Sequence, residues 1–353
     1  MKRNKLKFGL LGLGAVIENR VKNIFLKELK EKVEITSVFD INKSKTKKYS
    51  KIFKCKTVDS YNIFLKQNFD ICYISTDSGS HFQNILDCFK NNKHVVVEKP
   101  PVLKVSELIF LNKFSKKKKL HFFVIYQNRE NKAVKFIKQN LIKKNNKIVF
   151  SSLKLLWSRP QKYYRGWHGK WKTDGGVIAQ QGIHYIDLLC HFFGKPIKAL
   201  GSMSNISNKL QAEDTHIGLI NFSGAKSTFS LTTALRPKDY SCTIEIFQID
   251  KIIRLKGLCC NEIQIINYDG SERNKNKIIS KKFSEKVPNG IGLSHHIFFK
   301  KISNFLLNKS KHIPLRAIDT IDTLKLINMI YRSSEINSWV ANKNKNIKSK
   351  LGN

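Results

Sequence analysis

Acidic residues are scarce in this chain. Asp and Glu number 26 against 65 Lys and Arg, leaving a formal net charge of +39 over 353 residues. The lysines are scattered beside Asn and Ile, as in IKKNNKI and VANKNKNIKSK, and are not gathered in one block. Such a dispersed excess reads as compositional drift on a solvated surface, with steering of anionic ligands as a by-product. Even the run Lys116 to Lys119 has no recognition motif around it, so neither specific nucleic-acid binding nor membrane docking is expected. Well-spaced cysteines are also missing. Seven occur, at 55, 72, 88, 190, 242, 259 and 260, an odd total without a C-x-x-C pair. That argues against a disulfide framework or a zinc knuckle and fits reduced thiols in the cytoplasm. No apolar run reaches the roughly 20 residues that a bilayer requires. The basic MKRNKLK followed by FGLLGLGAVI imitates a secretion signal, but Glu18 and Arg20 interrupt it and no small-residue cleavage site follows. It reads better as a first buried strand. Internal repeats are absent too.

What is present begins with that segment. In KFGLLGLGAVIENR an apolar run ends in Gly12, Leu13 and Gly14 and passes into a predicted helix opening with Ala15 and Val16. Glycine permits a tight turn and close approach to phosphate, and the first helical amides lack intrahelical partners. The third small position of G-x-G-x-x-G falls on Ile17, so the motif is half complete. Twenty-six residues after Gly14, Asp40 follows the apolar run KVEITSVF. A carboxylate there accepts hydrogen bonds from ribose hydroxyls and repels a 2′-phosphate, which favours NAD over NADP; the alternative for Asp40 is a turn or helix cap.

A chain of this length, 41% hydrophobic, can bury two cores. Strand-like and helix-like segments alternate through FDICYIST, HFQNILDCFKNN, KHVVVEKPP, ELIFLNKFSKKKK and LHFFVIY, the pattern of βαβ units in a doubly wound parallel sheet. Ser75 to His81, with Thr76 among them, and Glu98, Lys99 and Pro100 fall at strand ends, where such sheets place ligands. After residue 126 the grammar changes. A helix in NKAVKFIKQNLI leads to KIVFSSLKLLW, then to HIGLINF, KSTFSLTTAL, CTIEIFQI and KIIRLKG, with a turn at Ser223 and Gly224. These predict an α+β domain with a largely antiparallel open sheet, one face solvated. Two amphipathic helices, about 294–308 and 318–338, close the chain, and the lysine-rich tail after Trp339 is expected to fray. The expected α/β organisation is therefore residues 1–126, binding a dinucleotide, and 127–353, binding substrate and mediating oligomers.

The densest chemistry lies in YYRGWHGKWKTDGGVIAQQGIHYID, residues 163–187. His184, Asp187 and His191 share a helical face and could in principle hold a metal, but no fourth ligand is evident beyond nearby His168, and no metal is expected. Trp167 and Trp171 either pack the loop or stack on a planar ligand. Arg129, Arg159, Lys162 and Arg165 are surface solubilisers or anchors for an anion.

Together GLLGLG, Asp40, EKP at 98–100, GG-x4-QGIHYID at 175–187 and EDT at 213–215 resemble the Gfo/Idh/MocA oxidoreductase family over nearly the whole chain. YQNRENKAVKFIK, RPQKYY and WHGKW narrow the resemblance to the branch that oxidises UDP-N-acetylglucosaminuronic acid to its 3-keto form for surface polysaccharide. The resemblance implies an N-terminal Rossmann domain and NAD as cofactor, with Gly12, Gly14, Ala15, Val16, Asp40, Thr76, His81, Glu98, Lys99 and Asn128 around it. It implies catalysis by Lys99 and His184, either of which could take the proton. It places Arg159, Tyr163, Trp167, Gln180, Gln181 and Asp187 against a nucleotide sugar. Many members carry aspartate at the position of Gln180; an amide cannot act as a general base, and an amide followed by Gln181 matches the polysaccharide branch. A homodimer or homotetramer through the exposed sheet face is also implied. Two other readings stay open: a dehydrogenase of a free sugar or inositol, and a non-enzymatic nicotinamide sensor.

Overall fold

The computed structural model describes residues 5–142, 147–286, 294–342 and 347–353. Contacts divide the chain into two units, residues 1–125 with 295–319, and 126–294 with 320–353. The first boundary falls where the sequence pattern changes. The division differs from the expected 1–126 and 127–353 in that His295–Asp319 packs with the first unit.

In the first unit β1 (Leu6–Leu11), β2 (Val33–Phe39), β3 (Lys56–Thr57), β4 (Ile71–Ile74), β5 (His94–Glu98) and β6 (Phe122–Ile125) pair in parallel, ordered β3-β2-β1-β4-β5-β6. Chain direction across the sheet reverses between β1 and β4, and the carboxyl ends of strands flanking such a reversal form a ligand crevice. The runs ICYI of β4 and FFVI of β6 are buried at every position, as strands covered on both faces must be. Helical segments separate the strands: a run over 15–28 containing two π-helical turns, then Lys43–Phe53, His81–Lys90 and Val105–Lys117.

The returning segment completes this core. Phe299, on the helix His295–Leu306, is wholly buried, with ring centroids 4.8 Å from Phe25, 5.1 Å from Tyr73 and 6.1 Å from Phe8. The amide of Val124 donates to the Leu315 carbonyl at 3.3 Å, and Phe123 bridges Arg316 antiparallel. At the head of the helix the His295 Nε2 lies 3.3 Å from Glu98 Oε1, which also accepts from the Tyr73 hydroxyl at 2.6 Å. Burial by itself would raise the Glu98 carboxyl; the His295 contact and the Tyr73 hydroxyl outweigh it and hold it at about 2.

The second unit holds β7 (Ile148–Leu156), β8 (Pro196–Ser204), β9 (Thr215–Phe222), β10 (Lys226–Thr232), β11 (Ser241–Gln248), β12 (Lys251–Lys256), β13 (Glu262–Asn267) and β14 (Val340–Ala341), ordered β13-β12-β11-β7-β10-β9-β8-β14. Only the β7–β10 pair is parallel. Alternation is clean: Phe229 and Leu231 of β10 and Ile244 and Ile246 of β11 are buried, while Ile217 and Leu219 of β9 are exposed. The helix Ile321–Ile336 packs along β8 and against the helix Ile183–Phe193.

The expectation of a frayed tail after Trp339 is corrected for the described residues. Val340–Ala341 adds β14 to the edge of β8, and Leu351 is buried. Gly352 donates to the Trp171 carbonyl at 2.8 Å, and the amide of Lys350 donates to Glu335 at 2.7 Å. Residues 343–346 of that tail lie outside the described residues.

Two outcomes follow. Replacing Phe299 by Ala removes a ring from a closed aromatic cluster and should cost about 3–5 kcal/mol, read as a lowered urea midpoint. Because folding depresses the Glu98 carboxyl from 4.5 to about 2, its contribution to stability is complete above pH 4.5 and disappears as the pH falls toward 2. His295→Asn should flatten that segment of the stability–pH curve; an unchanged acid limb would contradict the assigned pair.

Candidate functional site

The glycine turn after β1 is shaped by two different demands. Gly12 has φ +85°, and a Cβ there would come within 2.7 Å of the Ser75 and Thr76 backbone. It therefore lets the loops after β1 and β4 touch. Nothing lies within 4 Å of a Cβ placed on Gly14, which leaves open space over the helix start at Ala15 and Val16. Ile17, at the third motif position, is wholly buried, so its side chain packs beneath the helix and stays out of the turn.

Asp40 follows β2 directly. Its carboxylate accepts from the Leu13 amide at 2.8 Å and the Asn42 amide at 2.8 Å. The cap of the next helix is Asn42, whose side chain accepts from Ser44 and Lys45. Asp40 thus ties the glycine turn to the end of β2 and is no helix cap. Thr76, half-buried after β4, accepts from the Asn84 amide group at 2.9 Å. These features fit an adenosine diphosphate moiety: an open glycine cradle, helical amides, and a half-buried carboxylate at the strand end where ribose hydroxyls are read.

Two residues expected at the cofactor have other partners. His81 is buried, with Nδ1 2.8 Å from the Pro100 carbonyl and Nε2 3.3 Å from the Thr76 carbonyl. Burial lowers its pKa despite those carbonyls. Its ring tethers the loop after β4 to the segment after β5. Glu98 likewise lies inward, engaged by Tyr73 and His295. Lys99, the next residue, is half-buried and so retains access to solvent. Asn128 sits in the 3-10 turn Gln127–Glu130 of the second unit and is buried.

The second unit presents the other group of candidate residues. Gly176 precedes the short helix Val177–Gln180, and a Cβ there would sit 2.2 Å from the Glu213 carbonyl oxygen and carboxylate. Only glycine admits that approach. The Glu213 carbonyl accepts from Val177 at 3.0 Å, and its Oε1 accepts from the Ile178 amide at 3.1 Å and the Tyr331 hydroxyl at 3.0 Å. The Tyr331 oxygen in turn accepts from the Gly176 amide at 3.0 Å. A buried carboxylate at a helix N-terminus complements the unpaired amides there. This network fixes the direction of the chain into Gln180, Gln181 and the helix Ile183–Phe193, which carries His184. Gln180 and His184 are half-buried, whereas Gln181 is buried and donates to the Tyr163 hydroxyl at 3.5 Å.

Tyr163 belongs to a stack. Its ring lies 4.4 Å from His168 at 13°, and His168 lies 3.8 Å from Trp167 at a tilt of 35°, a residue 36% exposed. His168 Nδ1 is 2.8 Å from Asp174 Oδ2, and the Gly169 amide donates to Asp174 Oδ1 at 2.8 Å. Burial raises the Asp174 carboxyl, opposed by His168 and the Gly169 amide. Burial likewise raises the Tyr163 phenol, with nearby Asp174 adding to the effect.

Asp187, expected at the substrate, lies in the interior of the second unit. It is 1% exposed, and its carboxylate takes a forked pair of bonds from Arg129, both 2.7 Å, plus the Thr323 hydroxyl at 2.8 Å. The same pairing commits Arg129, offered as an anion anchor, to the interior. Burial and the Arg129 charge push His191 down to about 4. Among the described residues no group of three His, Cys, Asp or Glu side chains is placed to hold a metal ion. Arg159 is paired with Asp239 at 2.7 Å and lies over Trp157 and Tyr163, with carbon-to-centroid distances of 4.9 and 5.7 Å. Lys162 and Arg165 are exposed. Tyr331 and His295 escape sequence reasoning as positioning groups because each meets its partner through the tertiary fold; Asp174 meets His168 and Gly169 within its own loop, and its place immediately before the glycine pair was the one local cue.

The chain is 26% identical to Oxidoreductase P35 of Formosa agariphila over 254 residues, 69% of this chain and 77% of that protein. It shares its fold with the WlbA dehydrogenase of Bordetella pertussis in complex with NADH and UDP-GlcNAcA, at TM-score 0.85, 23% identity and coverage of 97% and 99% of the two chains. The WlbA dehydrogenase of Chromobacterium violaceum, also with NADH and UDP-GlcNAcA, superposes at TM-score 0.85 with 24% identity and 97% coverage of each chain. Residues 6–126 match the family profile described as an oxidoreductase family with NAD-binding Rossmann fold, and residues 147–248 match the GFO/IDH/MocA C-terminal domain, so the chain belongs to the Gfo/Idh/MocA family of NAD(P)-dependent dehydrogenases.

Proposed function

We propose that this dehydrogenase oxidises a secondary hydroxyl of a UDP-linked acetamido-uronic acid, UDP-N-acetylglucosaminuronic acid at C3, within cytoplasmic synthesis of surface polysaccharide. The observation that carries the reading is the composition of 159–184: a Tyr163–His168 ring stack with Trp167 tilted at 35° against it, a buried amide at Gln181 and the half-buried His184 within one short stretch of chain. A stack ending in an exposed indole suits a planar base or the face of a pyranose. The shared fold with two dehydrogenases solved with UDP-GlcNAcA supports the same substrate class.

Oxidation breaks the carbinol C–H and O–H bonds; the hydride leaves with both electrons, the proton leaves the oxygen, and a C=O double bond remains. NAD, when bound, is the hydride acceptor. The residues proposed to hold it are Gly12, Gly14, Ala15, Val16, Asp40 and Thr76, with Lys99 at the nicotinamide end. Removal of the proton needs a base, and the developing negative oxygen needs a donor. His184 and Lys99 divide those two tasks. Gln180 takes neither base role, since an amide does not accept a proton at neutral pH; with Gln181 it orients the sugar. Arg159, Tyr163 and Trp167 are proposed at the nucleotide sugar. The outward Ile217 and Leu219 of β9 are proposed as part of a surface for homodimers or homotetramers.

Single-turnover absorbance with NAD tests this. NADH should form with UDP-N-acetylglucosaminuronic acid and not with UDP-N-acetylglucosamine, which lacks the carboxylate. Lys99→Ala and His184→Asn should each lower the rate by about 10²–10⁴-fold while NAD still binds. Full turnover in either variant removes its assigned role. Silence with both sugars, in protein that binds NAD, redirects the search to free sugars and inositols.

A further inference from the structure

The Asp174–His168 pair carries a role that the reaction above leaves unassigned. Asp174 is 1% exposed, and its two oxygens are divided between the Gly169 amide and His168 Nδ1. With a carboxylate as partner, Nδ1 is the protonated ring nitrogen, which makes Nε2 of the neutral ring an acceptor. The plane of the ring is set as well, because Tyr163 stacks at 13° and Trp167 lies 3.8 Å away. A histidine that only pinned this loop would need the Asp174 bond and no second constraint. Here tautomer and plane are both determined, while the ring keeps an exposed edge, with 16% of its side-chain surface open. Its neighbour Tyr163 holds Gln181, three residues before His184.

We propose that His168 is a ligand-contacting residue of the substrate group, its Nε2 accepting a hydrogen bond from a donor on the bound nucleotide sugar, with Asp174 as the positioning residue that fixes the tautomer. The donor is a sugar hydroxyl or the imide N–H of the base. The proposal rests on the nucleotide-sugar reading. Trp167 forms the outer layer of the stack and takes the ligand's face; Tyr163 is the inner layer, which narrows its role to supporting the ring and Gln181.

The test is calorimetric binding of UDP and of UDP-N-acetylglucosaminuronic acid to NAD-loaded protein, wild type against His168→Phe, which keeps an aromatic layer and removes Nε2. Affinity should fall about 10-fold, the scale of one lost hydrogen bond. A loss with both ligands identifies the base as donor, and a loss with the full nucleotide sugar alone identifies the sugar. Unchanged affinity for both overturns the proposal and leaves the reaction standing. Failure of the wild-type protein to bind either ligand removes the substrate reading and this proposal with it. Asp174→Asn gives a second route should the Phe variant fold poorly. Because Gly169 donates to Oδ1, an asparagine would turn its amide nitrogen toward Nδ1 and reverse the tautomer. Nitrogen-15 shifts, assigned by the resonance absent from His168→Gln, should report Nδ1–H in the wild type and Nε2–H in Asp174→Asn, with affinity again lowered. Identical tautomers, or a reversed tautomer with wild-type affinity, refute it.

Discussion

A buried carboxylate organises the second unit of this protein. Glu213 gathers the start of the helix Val177–Gln180, the Tyr331 hydroxyl and, through that oxygen, the Gly176 amide. A charge so deep in a protein is tolerable only when donors converge on it. Those donors come from segments far apart in the chain, so they converge only when the unit is folded. Substituting the carboxylate would leave helix amides and a phenol unsatisfied and would free the approach to His184 to move. Gly176 is the geometric counterpart, since any side chain there would occupy the space of the carboxylate.

The same logic recurs with different residues. Asp187 is matched by Arg129 and Thr323, Asp174 by His168 and Gly169, and Glu98 by Tyr73 and His295. In a chain with few acids, several of them are therefore internal, where each holds a turn or helix start at a fixed angle. The cations remain largely on the surface, which leaves the outside more basic than the composition alone suggests. That surface charge will draw anionic ligands at low ionic strength, while selectivity among them must come from buried, fixed donors and acceptors.

Much of the fold was legible because its strands announce themselves. ICYI and FFVI are apolar at every position and form parallel strands, and KSTFSLT and SCTIEIFQ alternate and form strands of the largely antiparallel sheet. Illegible elements had weak patterns. β8 reads PIKALGSMS, with proline, glycine and small residues interrupting the alternation, and the helix Arg273–Phe283 is nearly all polar. Both are held by neighbours: β8 by β9 and β14, the helix by β13. The tail after Trp339 looked like solvent-exposed polar chain, yet Leu351 supplies an apolar contact beneath Gly175 that no local pattern could reveal.

The sequence by itself determined the glycine turn, the acid after β2, the two kinds of sheet and the short stretch dense in aromatic and polar residue types, because each depends on residue type and local spacing. Tertiary structure alone decided which of those side chains face outward. His81 and Asp187 have the residue types of a site and the surroundings of an interior, since two carbonyls claim one and an arginine the other. It also decided that His295–Asp319 completes the first core, a long-range packing of Phe299 among Phe8, Phe25 and Tyr73 that no window of sequence contains.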